Sequence, residues 1–221
     1  MLYMKEEKME ADKMKAEYMT SLSGNRMVPK THGRIAFRGA IDTLEAEVIE
    51  AQVLASELGE KANFAESETN AGVCCGICRD MCRDICRELG EILDYLRAIM
   101  AAEVKETPLP PPFLFGMDAE EIHRLSRRPV DQDKGGDFGA ALPAYTQGPL
   151  AARLNTLRAK VRETELLAVR VFGPEENPYG IAAGETGITP REDIILALNR
   201  LSSALWWLHC KYKSSKLYCL T

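Results

Sequence analysis

Four apolar seams, each alternating steps of four and three residues, leave this chain few ways to fold. From about Arg34 to Glu60, the residues Phe37, Ile41, Leu44, Val48, Ala51, Ala55 and Leu58 fall on one stripe of a helix. A second seam, from roughly Val73 to Glu103, carries Cys78, Met81, Ile85, Ile92, Leu96 and Ile99. Leu150, Leu154, Leu157, Val161, Ala168 and Val171 make a third, with Thr164 at the missing position, and Ile194, Leu198, Leu201, Leu205, Leu208 and Tyr212 a fourth. The first rod, at about 1.5 Å per residue, is about 40 Å long. A rod with one apolar stripe must bury it against others, and no segment shows sustained strand alternation. The spacing therefore predicts an all-α fold, with four long helices and a short one around Asp118 to Arg127.

Breaks between the seams are equally legible. Gly59 and the polar stretch KANFAESETNAG are expected to stop the first helix, and the prolines of TPLPPP the second. Thr189, Pro190 and Glu192 read as N-cap, first helical position and capping-box acid of the last helix. The loop DQDKGGDFGAALPAYTQGP is long enough for a lid or binding role, or for plain flexibility. Its DKGGDFG, like GETG further on, reads as a hinge more readily than as a phosphate nest, since neither stands between a strand and a helix.

The 221 residues, 46% of them hydrophobic, can bury one sizeable core without staples. A net charge of -5 argues against a broad nucleic-acid surface, so an anionic ligand needs a local basic pocket. No run approaches the roughly 20 apolar residues of a membrane span. The opening MLYMKEEKMEADKMK lacks the apolar region of a signal peptide, and a cytoplasmic location is expected.

Residues one step past each seam project along a flank of the packed face. That flank carries Arg38, Asp42 and Glu45 on the first helix, Arg158, Arg162 and Glu165 on the fourth, and Asn199, Ser202 and Trp206 on the fifth. Arg158 and Arg162 lie one turn apart, so both guanidinium forks can reach one polyanion. Asn199 can hydrogen-bond a sugar or base, while Asp42 and Glu165 can hold the arginines or bind through a cation. The plainer alternative is a solvated flank with ion pairs from Arg158 or Arg162 to Glu165, each worth well under about 1 kcal/mol.

Five of the seven cysteines crowd between Cys74 and Cys86, unlike a secreted disulfide framework. Cys74, Cys75 and Cys78 have a spacing that suits a soft metal, Fe2+ or Zn2+. Cys78, Cys82 and Cys86 also recur every fourth residue, which fits either a metal or cluster site or a buried stripe of small hydrophobes. His32, His123 and His209 each stand alone in sequence, and a structural hydrogen bond is the expected role of His123.

The stretches LSGNRMVPKTHGRIAFRGAIDTLEAEVIEAQ, EEIHRLSRRP, LNTLRAKVRETE and ILALNRLSS resemble, in this order, ethanolamine-utilisation cobalamin adenosyltransferases. The resemblance covers roughly residues 20 to 208 and includes the superfamily's R-x-x-x-R-x-x-E at Arg158, Arg162 and Glu165, and its N-R-L-S at Asn199, Arg200, Leu201 and Ser202. It implies a five-helix up-and-down bundle assembled as a homotrimer. ATP would bind at subunit interfaces with the corrinoid above it, and the 5'-deoxyadenosyl group would pass to cob(I)alamin, with Mg2+ on the phosphates.

By the same resemblance Arg158 pairs with Asp42 across the interface, and Arg162 and Asn199 contact ATP. Arg38 and Glu165 would line the nucleotide, and Thr20, Ser23, Lys30 and Thr31 would wrap its phosphates. Phe113, Phe115, Phe138 and Trp206 are candidates for excluding the lower cobalt ligand. The implied organisation is a polar extension over 1–19, a helical adenosyltransferase domain over 20–213 and a basic tail over 214–221, without the auxiliary domain of longer relatives. Expected partners are a cobalamin reductase and ethanolamine ammonia-lyase, with association to a bacterial microcompartment, and neither nucleic acid nor membrane. In some relatives a CCxxC metal motif precedes the first helix, with a histidine twelve positions before it; here Ala62 holds that position and the cysteines follow the helix. The alternatives are a corrinoid adenosyltransferase of another pathway and a non-catalytic bundle with a cysteine metal or redox site.

Overall fold

The computed structural model describes residues 17–24, 26–68, 72–127, 130–131, 136–137, 142–174 and 189–214, with side chains described within 17–24, 26–61, 79–127, 142–174 and 189–213. Among these, five α-helices occur: α1 (Gly33–Glu68), α2 (Gly72–Lys105), α3 (Ala119–Arg127), α4 (Gly148–Phe172) and α5 (Glu192–Ser214). The all-α expectation holds, with two small additions that alternation over so few residues does not reveal. An antiparallel hairpin joins β1 (Met19–Ser23) to β2 (Arg26–Pro29), and a second pairs β3 (Val130–Asp131) with β4 (Gly136–Asp137).

The seams form the core. Phe37, Ile41, Leu44, Val48, Ala51 and Ala55 are buried on α1, and Ile85, Ile92, Leu96 and Ile99 on α2. The apolar α4 and α5 seam positions are buried too, with Thr164 among them; its hydroxyl donates to the Lys160 carbonyl at 3.0 Å. Such a hydroxyl satisfies itself on its own helix and needs no cross-core partner.

Neighbouring long helices run antiparallel. Phe37 near the start of α1 meets Phe172 at the end of α4 edge to face at 5.0 Å, while Glu47 further along α1 takes Arg153 and Lys160 of α4, each at 2.6 Å. Likewise α2 opposes α1 and α5, and α4 opposes α5, so α1 and α5 run the same way on opposite corners of a square. The proline segment after α2 climbs back along it, Tyr95 donating to the Pro110 carbonyl at 2.9 Å, before α3 turns down onto α5.

Two sequence expectations about helix ends need correction. Helix α1 continues past Gly59 to Glu68. A methyl at Gly59 would lie 3.3 Å from the Cys82 Cβ, so this glycine serves a close approach of α1 to α2 and not a stop. The last helix begins at Glu192 without the Thr189 capping box. Instead Asp193 accepts hydrogen bonds from the Leu109 and Ile194 amides and from Arg191, because that carboxylate also has to pin the proline segment to α5.

The end of the bundle that carries the β1–β2 hairpin is locked by one buried carboxylate. Glu103 of α2 accepts from the Nε atoms of both Arg34 and Arg38 of α1, and Arg38 also donates to the Leu22 carbonyl of β1 at 2.8 Å. Replacing Glu103 by Gln strands the half-desolvated guanidinium of Arg38, leaves Arg34 with the Glu106 carboxylate alone, and should cost about 3 kcal/mol. That cost would be read as a lower urea midpoint at unchanged slope, and an unchanged midpoint refutes the lock.

Cysteines inside the described side chains are packing groups. Cys82 is buried, and Cys86 is half-buried with its thiol against the Gln52 carbonyl at 3.5 Å. Burial pushes the Cys210 thiol up to about 11. At pH 8 iodoacetamide should therefore label Cys210 about a hundredfold more slowly than a free thiol, and labelling at the free rate would show the helix end to be open.

Candidate active site

Helix α4 presents Arg158, Arg162 and Glu165 because the i, i+4, i+7 spacing puts them on one side of its seam, and α5 packs antiparallel against that side. Opposite Glu165 stands Asn199, whose Nδ2 donates to the Glu165 Oε1 at 2.9 Å. Asn199 Oδ1 accepts from the Arg200 Nη1 at 2.7 Å, and the same Nη1 lies 3.3 Å from the His123 Nδ1 on α3. Arginine has no lone pair to offer, so the imidazole nitrogen is the acceptor.

Two turns further along α5, Trp206 lies under Arg158, with the guanidinium 5.3 Å from the ring centroid. The same indole stacks on His209, 5.5 Å between centroids and 10° between planes. His209 is buried, with its Nδ1 on the Ala151 carbonyl at 3.2 Å and its Nε2, among the described residues, without a hydrogen-bond partner; burial pushes its imidazole below the ordinary range.

Arg158 is held at a cost. Burial, then the charge of Arg162, lowers its guanidinium below the ordinary value, although it stays cationic. Among the described residues its one hydrogen bond is a long one to the Asn155 Oδ1, at 3.4 Å. Arg162 is exposed and, among the described residues, makes no hydrogen bond or ion pair. The intrahelical Arg–Glu pairs of the plainer reading are not formed, because Glu165 turns to Asn199. Two adjacent guanidinium groups with unspent donors are a place for a polyanion, and an arriving phosphate relieves the repulsion between them.

The first-helix flank does not join this site within one protomer. On α1 the positions after the seam face α2: Arg38 is committed to Glu103, with its Nη2 buried and, among the described residues, unpartnered, and Glu45 lies 3.6 Å from Arg97. The α1 face turned to α4 instead carries Glu47, whose carboxyl is held below its usual range first by the Lys160 hydrogen bond. Asp42 is exposed and makes no hydrogen bond among the described residues. Seam spacing fixes a flank's handedness on its own helix but not which neighbour it meets.

Thr20 and Ser23 sit on β1, and Lys30 and Thr31 are in the turn after β2, just before the start of α1. Beneath the hairpin lies a cleft of about 250 Å³ bordered by Arg26, His32, Arg34 and Arg191, where Glu103, Glu106 and Asp193 neutralise Arg34 and Arg191. Of the aromatic candidates, Phe115 is stacked on Trp207 at 5.5 Å, Phe113 is 69% exposed and Trp206 belongs to Arg158. Phe138 lies outside the described residues, as do the side chains of Cys74, Cys75 and Cys78. Among the described residues no three His, Cys, Asp or Glu side chains are grouped to hold a metal ion, and no helix is long and apolar enough to cross a membrane.

The structural hydrogen bond expected of His123 is made to Arg200, whereas sequence reasoning missed the parts played by Arg200 and His209. Arg200 adjoins Asn199 and His123 lies in the HRLS stretch, so a signal existed, but only the folded α3–α5 contact joins them.

The family profile described as cobalamin adenosyltransferase matches residues 13–212. The corrinoid adenosyltransferase EutT of Salmonella typhimurium is 32% identical over 192 residues, 87% of this chain and 57% of that protein. EutT of Escherichia coli K12 matches with the same identity and coverage. The chain thus spans 57% of the length of these curated relatives. No solved structure matches it. With a profile covering nearly all of the helical bundle and the arginine and asparagine motifs meeting on α4 and α5, this chain belongs to the cobalamin adenosyltransferase family.

Proposed function

We propose that the chain transfers the 5'-deoxyadenosyl group of ATP to cob(I)alamin, making adenosylcobalamin for ethanolamine ammonia-lyase. The observation that carries this reading is the pair Arg158 and Arg162, desolvated or unspent, beside an Asn199 carboxamide held rigid between Glu165 and Arg200. The resemblance to ethanolamine-utilisation members supports the pathway.

In the reaction the cobalt(I) electron pair forms the bond to the ribose C5' carbon. The C5'–O bond breaks, its electron pair leaves on the polyphosphate, and cobalt ends formally as Co(III). Because the corrinoid is the nucleophile, the protein needs no activated serine, cysteine or histidine. Its work is to align the two reactants and to stabilise negative charge on the leaving phosphates. Arg158, set on Trp206, and Arg162 serve the second task, with Mg2+ arriving on the nucleotide. Asn199 orients ribose or base through the donor and acceptor capacity left after its two protein bonds. Thr20, Ser23, Lys30 and Thr31 close over the phosphates, and the spare Nη2 of Arg38 is a further donor behind them.

The site is completed by a second copy in a homotrimer, whose Asp42 pairs with Arg158. What supports this is that Asp42 is exposed on α1 while the α1 flank of the same protomer faces α2. An Fe2+ or Zn2+ ion at Cys74, Cys75 and Cys78 is supported by thiolate density alone, and no step is assigned to it.

Anaerobic mixing with ATP, Mg2+ and chemically reduced cobalamin should convert the corrinoid spectrum to that of adenosylcobalamin. Arg162→Ala should lose at least about a hundredfold in rate, and equal rates would remove that side chain from the site. Trp206→Leu should raise the KM for ATP more than it lowers kcat, whereas Trp206→Phe, which keeps a ring under Arg158, should stay within about threefold of native. Inactive Asp42→Ala and Arg158→Ala subunits, refolded together in equal amounts, should recover about a quarter of native activity through mixed interfaces; no recovery would place both residues in one protomer's site.

A further inference from the structure

The hydrogen-bonded series His123, Arg200, Asn199 and Glu165 crosses three helices, entering from α3, turning on α5 and ending on α4. We propose that His123 and Arg200 are positioning residues that fix the orientation of the Asn199 carboxamide, so that a side chain of α3 sets how the α4–α5 flank receives a nucleotide. The consequence for catalysis rests on the adenosyltransferase reading; the geometry does not.

A carboxamide is nearly symmetric in shape, and its two ends differ only in donating or accepting. Here each neighbour admits one end. The guanidinium of Arg200 can only donate and takes Oδ1, while the carboxylate of Glu165 accepts and takes Nδ2. A flipped amide would set donor against donor and acceptor against acceptor, so the pair fixes the plane and the sense of the group. One N–H and one lone pair remain, aimed in fixed directions, which a ligand can read.

That selection works only while Arg200 stays in place. Its Nε is buried and unpartnered, so the guanidinium is partly desolvated and held, among the described residues, through Nη1 alone by Asn199 and His123. The imidazole is half-buried on α3 and its Nδ1 supplies the second acceptor. The backbone under the carboxamide is fixed separately, since the Ser202 hydroxyl donates to the Asn199 carbonyl at 2.9 Å. Loss of the imidazole should therefore loosen the side chain of Asn199 and not its helix.

The test uses the full chain with His123→Ala, His123→Asn, Asn199→Ala and the double variant His123→Ala/Asn199→Ala. Isotope labelling of asparagine, with the Asn199 side-chain amide identified by its loss in Asn199→Ala, reads the carboxamide without any ligand. Its signals should shift or broaden in His123→Ala and return in His123→Asn, whose Oδ1 can replace the ring Nδ1. In the adenosylation assay His123→Ala should raise the KM for ATP by about tenfold, His123→Asn should recover to within about threefold, and the second change should add nothing in the Asn199→Ala background. An unmoved amide signal in His123→Ala overturns the proposal. So does an equal loss with and without Asn199, which would mark His123 as merely structural. If the native chain makes no adenosylcobalamin, the adenosyltransferase reading fails, and the amide signal alone decides the positioning role.

Discussion

Registry between α4 and α5 governs everything the flank can do. Their seams leave no side chain of the packed face free to choose a partner: Leu154, Leu157 and Val161 on one helix, and Leu198, Leu201 and Leu205 on the other, are fully or almost fully buried. Interiors this closely packed do not slide by fractions of a turn. Once the seams lock, Glu165 must stand opposite Asn199 and Arg158 over Trp206. The chemistry of the flank is thus set by apolar contacts that touch no substrate.

Charge is distributed along the bundle with the same logic. At the hairpin end, cations are matched by buried or nearby carboxylates: Arg34 and Arg38 by Glu103, and Arg191 by Asp193. Between α1 and α4, Glu47 answers Arg153 and Lys160. Among the described residues of one protomer Arg158 and Arg162 receive no such match, and Glu165 on their flank is spent on an amide. Unmatched neighbouring cations lower stability slightly, and they persist where a ligand supplies the missing charge.

Parts of the site are legible in the residue order itself. Arg158, Arg162 and Glu165 share a side of one helix by spacing alone, and Asn199 is recognisable as their counterpart through its motif. The roles of Arg38 and Trp206 are not. Arg38 has the same sequence relation to its seam as Arg158 has, yet it meets Glu103 because α1 is flanked by α2 on that side. Trp206 reads as a candidate wedge against the corrinoid, and in the folded chain it is the platform for a guanidinium. Gly59 reads as a stop and turns out to be the clearance for Cys82.

Periodicity alone establishes that the rods are helices, which stripe of each is turned inward and which side chains lie one step off the seam, because a period needs no knowledge of neighbours. Only the assembled bundle settles which flank faces which helix, which polar groups are consumed by one another and which keep unspent donors. Those outcomes depend on contacts between residues far apart in the chain, such as Asn199 with Glu165, Arg34 with Glu103 and Glu47 with Arg153, which lie 34, 69 and 106 positions apart, and no local pattern encodes the choice of partner across such spans.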